Sequence, residues 1–355
     1  MTHAPRPAPR IAAALLALLL LAAPSGAEAF GKNKVQTREF DWHIFETEHF
    51  EIFYYPEEEN LAREVCEIAE SAYRRDTRLL RVQPRTKTPL FLYRNQVDFQ
   101  QTNITPSVIG VGTGGFTEAF KNRIALPAPP SRRDLEEVVA HEFMHALQFN
   151  VLYGEGLRSF RVYKGYLVPL WVLEGISEYA ADDWDAYADM VVRDAVLHDR
   201  LLPLTLLDGF THLEDVYLAY KQSELAVRYL AETYGEEKIA AVFKRFKHQT
   251  SISQILRETI GLGLKDFSRD YLFWTRQRYW LQAADREPPE AYGRPVFERR
   301  PERLSLTTGP AWSPDGRRLA VVSNRDQRTR IYLVSRGGAR SPYAVTPRAF
   351  ESFAT

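Results

Sequence analysis

Ser131-Arg-Arg-Asp134-Leu-Glu-Glu-Val-Val-Ala-His141-Glu142-Phe-Met-His145-Ala-Leu147 reads as one helix from its first residue onward. Ser131 and Asp134 stand at the spacing of a capping box, which satisfies the free N–H groups of a helix start. Leu135, Val138, Val139 and Leu147 supply the apolar face. His141 and His145 are four residues apart, so on a helix they lie one above the other and both imidazoles can reach one metal ion. Glu142 projects beside that face, where a carboxylate can take a proton from water. The bland alternative is a solvated helix with incidental His and Glu. It fits poorly with Val138, Val139, Ala146 and Leu147, which keep charge off the buried flanks.

Two imidazoles do not complete a catalytic zinc site, which takes three protein ligands and leaves one position open. The chain has a single cysteine, Cys66, so neither a disulfide framework nor a cysteine zinc site is available. Cys66 sits beside the stripe Leu61, Val65, Ile68 and Ala72 of a predicted helix and is expected to be buried. His43, His49, His198, His212 and His248 stand in no recognisable metal spacing. An acidic third ligand is the better candidate. Leu167-Val-Pro-Leu-Trp171-Val-Leu-Glu174-Gly175-Ile-Ser-Glu178-Tyr179 predicts a helix starting at Pro169, with two glutamates four apart on one face.

At these residues the chain resembles the gluzincin zinc metallopeptidases, specifically the peptidase MA-like group related to thermolysin and the zinc aminopeptidases. Trp171 and Glu174-Gly175 match a Trp-x-x-Glu-Gly setting, which implies that Glu174 joins His141 and His145 in binding one Zn2+ ion. Glu178 then takes the place of an acid that accepts the outer N–H of a ligand histidine, His141. The reverse, Glu178 as ligand and Glu174 as support, is the alternative. Val216-Tyr217-Leu-Ala-Tyr220-Lys-Gln-Ser223 resembles the segment that carries the oxyanion-stabilising tyrosine of such enzymes, which puts Tyr220 in that role and Tyr217 as its substitute. Gly115-Phe-Thr-Glu118 lies where relatives carry a Gly-x-Met-Glu-Asn strand that anchors the substrate amine, but Thr117 replaces Met and Ala119 replaces Asn. Glu118 is therefore a candidate amine anchor, and an edge strand that aligns an extended peptide by its main chain is the stronger expectation.

Outward from this centre, residues 30–126 read as sheet-rich and 127–286 as helical. His49–Tyr55 and Pro89–Tyr93 predict strands, Glu58–Leu80 an amphipathic helix, and Gly110–Leu126 two strands near a sheet edge. Tyr153–Leu167 is expected to be a loop inserted over the cleft. The Pro-rich segment 287–302 reads as a linker. From Arg303 the text changes to strand, Ser313-Pro-Asp-Gly316 turn, strand, polar turn and strand. This resembles the repeat of TolB-like (WD40-like) β-propellers, whose signature is Trp-Ser-Pro-Asp-Gly. A second copy is expected to start at Tyr343-Ala-Val-Thr346. One blade cannot close a ring, so residues 303–355 are expected to be incomplete propeller repeats of a longer protein, or a tail that folds with a partner.

Arg6 and Arg10 precede Ile11–Ala23, an unbroken run of Ile, Ala and Leu, and Ala27-Glu28-Ala29 forms a small-x-small cleavage site. Residues 1–29 thus read as a signal peptide. The run of 13 apolar residues is shorter than the roughly 20 that span a bilayer, though an uncleaved anchor is the alternative. The 355 residues allow two or three domains, and 45% apolar content can fill their cores. Lys+Arg and Asp+Glu are 46 each, so no global field attracts nucleic acid or an anionic membrane.

The expected fold class is α+β. A mixed N-terminal sheet packs on a mostly helical HExxH zinc-peptidase subdomain, and a β-propeller fragment follows. The expected function is an exported, periplasmic or secreted zinc-dependent metallopeptidase acting on peptides or proteins, with no transmembrane helix after signal cleavage. The alternative is a cell-envelope binding or assembly protein that meets its partner through the propeller, its peptidase domain secondary or inactive. A non-peptidase zinc hydrolase is a third option.

Overall fold

Phe50-Glu-Ile-Phe-Tyr54 has the period of two that a half-covered strand requires, and its burial alternates accordingly. It is the second strand of a mixed sheet in the computed structural model, which describes residues 34–110, 112–154, 168–181, 184–210, 213, 215–283, 287, 291–293, 307–323, 329–335 and 343–344. The chain divides into two compact units, Met1–Val35 and Gln36–Thr355. Of the first only Lys34 and Val35 are described, so the expected signal peptide (residues 1–29) lies outside the described residues. The same holds for residues 155–167 of the expected inserted loop and for most of the expected linker. All the elements named below belong to the second unit.

The sheet comprises β1 (His43–Glu46), β2 (Phe50–Tyr54), β3 (Thr88–Tyr93), β4 (Phe116–Glu118) and β5 (Arg123–Pro127), in the order β1-β2-β3-β5-β4. The β2–β3 and β3–β5 pairs are parallel, while β1–β2 and β4–β5 are antiparallel. A parallel neighbour needs a crossover, and α1 (Glu59–Leu80) supplies it between β2 and β3. A short helix, α2 (Gln96–Gln100), follows β3 and starts at Asn95, whose side chain accepts from the Asp98 N–H at 2.9 Å. Phe50, Ile52, Leu90, Leu92, Ile124 and Leu126 join Val65, Ile68, Ala69, Val139 and Phe143 in the main core. The opposite face carries a smaller aromatic cluster, in which Tyr93, Phe99 and Ala125 are covered by Phe40, Trp42 and Phe91. β4 lies at the edge of the sheet, as expected.

The helical part is broken where the chain supplies caps. It runs through α3 (Arg132–Tyr153), α4 (Leu170–Ala181), α5 (Ala186–Leu197), α6 (Val216–Tyr234), α7 (Glu237–Arg245), α8 (Ile252–Ile260) and α9 (Leu264–Ala283). Ser131 accepts from the Asp134 N–H at 3.1 Å, Asp185 from Ala188 at 2.7 Å and Asp215 from Leu218 at 2.9 Å. Gly154, Gly235 and Gly261, all at positive φ, end α3, α6 and α8. Gly175 has a different task. A Cβ there would stand 2.4 Å from the Ser223 carbonyl oxygen, so α4 and α6 meet with no side chain between their backbones. Cys66 is half-buried rather than buried, and packs against the edge of the main core.

In the tail, β6 (Thr307–Trp312), β7 (Arg318–Ser323), β8 (Arg330–Ser335) and β9 (Tyr343–Ala344) form an antiparallel sheet in sequence order. The Ser-Pro-Asp-Gly turn holds because Asp315 accepts from the Ser313 hydroxyl at 2.6 Å and the Arg317 N–H at 3.0 Å, with Gly316 at positive φ. Leu319, Val321, Tyr332 and Val334 bury one another on one face. Among the described residues it is one four-stranded antiparallel meander, the strand number of a single propeller blade, and no ring is shown. Tyr343–Ala344, where a second copy was expected to start, pairs with Tyr332 and Leu333 as the last strand of this sheet, and residues 345–355 lie outside the described residues.

These packings set two expectations for stability. Gly175→Ala pushes a methyl into the α6 backbone, and the overpacking outweighs the gain in helix propensity; urea unfolding is expected to show a loss of about 2 kcal/mol. Asp76 on α1 is fully buried, and burial raises its carboxyl from 3.8 to about 7 despite the Arg75 guanidinium beside it. The folded state therefore holds a proton that the unfolded chain releases between these values, so stability falls as pH rises from about 4 to 7. Asp76→Asn is expected to stabilise the protein by about 2 kcal/mol at pH 8 and to change little at pH 4, read from denaturation midpoints at the two pH values.

Candidate metal centre

His141 and His145 lie on one face of α3. Their Nε2 atoms are 3.1 Å apart on a part-buried face. α4 crosses opposite and brings Glu174 Oε2 to 3.3 Å from His141 Nε2 and 3.2 Å from His145 Nε2. These three residues make the one group of potential metal ligands among the described residues. Glu174 Oε2 is buried without a hydrogen-bond partner. Donors bound at about 2.0–2.2 Å in a tetrahedron stand roughly 3.4 Å from one another, close to this triangle. Two nitrogens and a carboxylate oxygen, with no thiolate, are a donor set that suits zinc. The residues therefore fit the ion that the sequence pattern implies.

Both imidazoles are held from behind. His141 Nδ1 lies 3.1 Å from Glu178 Oε1, a distance at which a carboxylate can fix the ring. His145 Nδ1 is 3.0 Å from Gln148 Oε1 and 3.3 Å from Ser177 Oγ. The Gln148 amide donates in turn to the Leu173 carbonyl at 2.9 Å, tying α3 to α4. Sequence reasoning missed Gln148 and Ser177. Gln148 stands three residues after His145, a spacing that carries a hydrogen bond on a helix and was the available signal. The geometry also divides the two glutamates: Glu174 faces both Nε2 atoms, whereas Glu178 reaches the far side of His141 alone.

Glu142 is turned toward the sheet edge. The Thr117 hydroxyl lies 2.7 Å from Glu142 Oε2 and 2.8 Å from its carbonyl oxygen. A Cβ on Gly115 would come within 3.1 Å of Glu142 Oε1, so the glycine makes room for the carboxylate. Burial raises the Glu142 carboxyl above its usual value, and His145, His141 and Thr117 oppose that rise. Tyr220 comes from α6, its ring centroid 6.4 Å from that of His141, braced edge-on by Phe210 at 5.1 Å. Burial and the carboxylates of Glu174, Glu178 and Glu142 push its phenol far up, so it stays a proton donor. Tyr217 instead packs on Tyr187 and is part-exposed.

Glu118 is placed elsewhere. Residues alternate across a strand, so with Thr117 aimed at α3 its neighbour points the other way. Its carboxylate accepts from Arg123 at 3.1 Å and from the N–H groups of Lys121, at 3.1 Å, and Phe120. That closes the β4–β5 turn and leaves it engaged away from the ligand triangle. The geometry therefore argues against the amine-anchor expectation.

Without metal, the cluster balances its own charge. Burial would lower the His141 pKa, but Glu174 and Glu178 outweigh it and raise the value well above 6.5; His145 is raised as well. Burial would raise Glu174, but His145 and His141 hold it far below the ordinary carboxylate range. Stability contributed by the imidazoles is complete below 6.5 and lost as pH rises through their folded values. Stability from Glu174 is present above 4.5 and lost only in strong acid. In a chelator, the urea midpoint is thus expected to fall steadily from pH 6.5 upward, and His141→Gln with His145→Gln should flatten that slope.

A search of the curated proteins finds no match to this chain. The Peptidase MA superfamily, in contrast, matches residues 69–276, more than half of the chain. The matched span contains β3 to β5, all of α3 to α8, and every member of the ligand triangle and its supports. With that match and the clustered histidines and glutamates of α3 and α4, the chain belongs to the Peptidase MA superfamily, a family of peptidases.

Proposed function

We propose that this protein is an exported zinc-dependent metallopeptidase of the gluzincin kind. The observation that carries the reading is the triangle of His141 Nε2, His145 Nε2 and Glu174 Oε2, with its orphaned buried oxygen, beside the enclosed carboxylate of Glu142. His141, His145 and Glu174 would hold the ion. When bound, zinc supplies a Lewis acid that polarises a carbonyl and acidifies water. Glu142 takes a proton from the attacking water and delivers it to the leaving amine, and its buried site keeps its basicity above that of an exposed carboxylate. Tyr220 donates a hydrogen bond to the oxyanion that develops on the carbonyl oxygen. β4, whose outer side meets no strand among the described residues, aligns the extended substrate by main-chain hydrogen bonds.

The signal-like residues 1–29 motivate export, and no described helix is long and apolar enough to cross a membrane. A binding or assembly role through the tail sheet is the second reading. It is favoured by β6, exposed along its whole length with Trp312 among its residues.

The test is zinc content together with hydrolysis of a quenched peptide library. Near-stoichiometric zinc is expected in wild type and Glu142→Ala and none in Glu174→Ala, with cleavage in wild type alone. Absence of zinc from every sample would overturn the enzyme reading in favour of the binding role. Tyr220→Phe is expected to lower kcat about 100-fold with little change in KM. In an exporting host, N-terminal sequencing is expected to begin at Phe30, and a retained leader would refute the signal-peptide reading.

A further inference from the structure

Behind Glu178 lies a buried ion chain that metal binding by itself does not require. Lys221 follows Tyr220 on α6, and its side chain is only 1% exposed. Its ammonium donates to Glu178 Oε2 at 2.7 Å and stands 3.4 Å from Glu224 Oε2. Glu224 is fully enclosed and takes Arg228 Nη2 at 2.8 Å on its other oxygen. The Tyr217 ring lies 5.7 Å from the Lys221 ammonium. Among the described residues, cations and anions thus alternate along this chain between α4 and α6, and an enclosed charge persists only when paired in this way.

The geometry divides the Glu178 carboxylate between two duties. One oxygen is taken by Lys221 and the other lies 3.1 Å from His141 Nδ1. A carboxylate free to rotate would present either oxygen, or neither, to the ring. Fixed at Oε2, it can offer only Oε1, and an N–H at Nδ1 pointing there leaves Nε2 to face His145 and Glu174. We propose that Lys221 is a positioning residue for the metal centre: by clamping Glu178 it sets the orientation of His141 and so the affinity of the site. The inference uses the zinc reading for one of its two readouts and stands on the protein's own hydrogen bonds for the other.

Lys221→Met alone removes the ammonium that lies between two enclosed carboxylates and is expected to fold poorly. Lys221→Met with Glu224→Gln removes one cation and one anion together and so leaves the net charge of the cluster unchanged. Glu224→Gln alone retains the Lys221–Glu178 bond and serves as the control. The experiment takes the full chain labelled with 15N-histidine, records the His141 Nδ1–H resonance in the metal-free state, and then measures zinc affinity by chelator competition. The resonance is expected to be downfield and slowly exchanging in wild type and Glu224→Gln and lost in the double variant, with zinc affinity about 10-fold weaker only in the double variant. Equal zinc affinity in the double variant and Glu224→Gln overturns the proposal whatever the resonance does, and so does weakening already complete in Glu224→Gln. If wild type takes up no zinc, the metallopeptidase reading fails by itself. The Lys221 inference is then decided by the resonance, whose persistence in the double variant overturns it.

Discussion

The approach of α4 to α6 at Gly175 is the constraint on which the site depends. No side chain separates the two backbones there, because a Cβ would meet the Ser223 carbonyl oxygen at 2.4 Å. Glu174 immediately precedes this contact and Glu178 lies one turn beyond it. The closeness of α6 behind α4 fixes where both carboxylates can stand. The same contact carries Tyr220 and Lys221 on α6 to opposite duties: one faces the ligand triangle and the other backs the glutamate that supports it. A wider helix spacing would separate these groups, and the sequence motifs would remain without a site.

The second feature is how much charge this region encloses. His141, His145, Glu142, Glu174, Glu178, Lys221 and Glu224 are all largely removed from water. Desolvating so many ions costs stability, and pairing offsets only part of it. Such an arrangement is retained for its geometry. Most of these side chains have fixed polar partners, so groups that would otherwise sample several rotamers are restrained. Glu174 Oε2 is the exception: it is buried without a hydrogen bond and faces two imidazole nitrogens, which is what makes the triangle read as a seat for a cation.

The sheet contributes by its edge. β4 ends the order β1-β2-β3-β5-β4, with Thr117 and Gly115 meeting Glu142 from one side and no strand on its outer side among the described residues. An open edge is a liability for aggregation and an asset for binding extended chains. Here it lies alongside Glu142, so in the proposed reaction substrate alignment and proton transfer would meet at one short strand. The tail sheet is organised by different means, a side-chain-capped turn and a four-residue apolar cluster.

Much of this was legible in the residues before any coordinates. The i, i+4 spacing of His141 and His145, the capping Ser131 and the alternation of β2 follow from helix and strand periodicity, which is local. So are the edge position of β4 and the turn at Ser313–Gly316. Some contacts were not legible because they join segments far apart in the chain. They include the division of labour between Glu174 and Glu178, the Gln148–Ser177 hold on His145, the burial of Lys221, and the turning of Glu118 away from the site. The same is true of the pairing of β9 with β8, since an edge strand takes whichever neighbour offers free backbone groups. Local spacing determined which side chains could share a face; only the helix and strand packing decided which of them meet, because burial and pairing depend on neighbours that one-dimensional order does not specify.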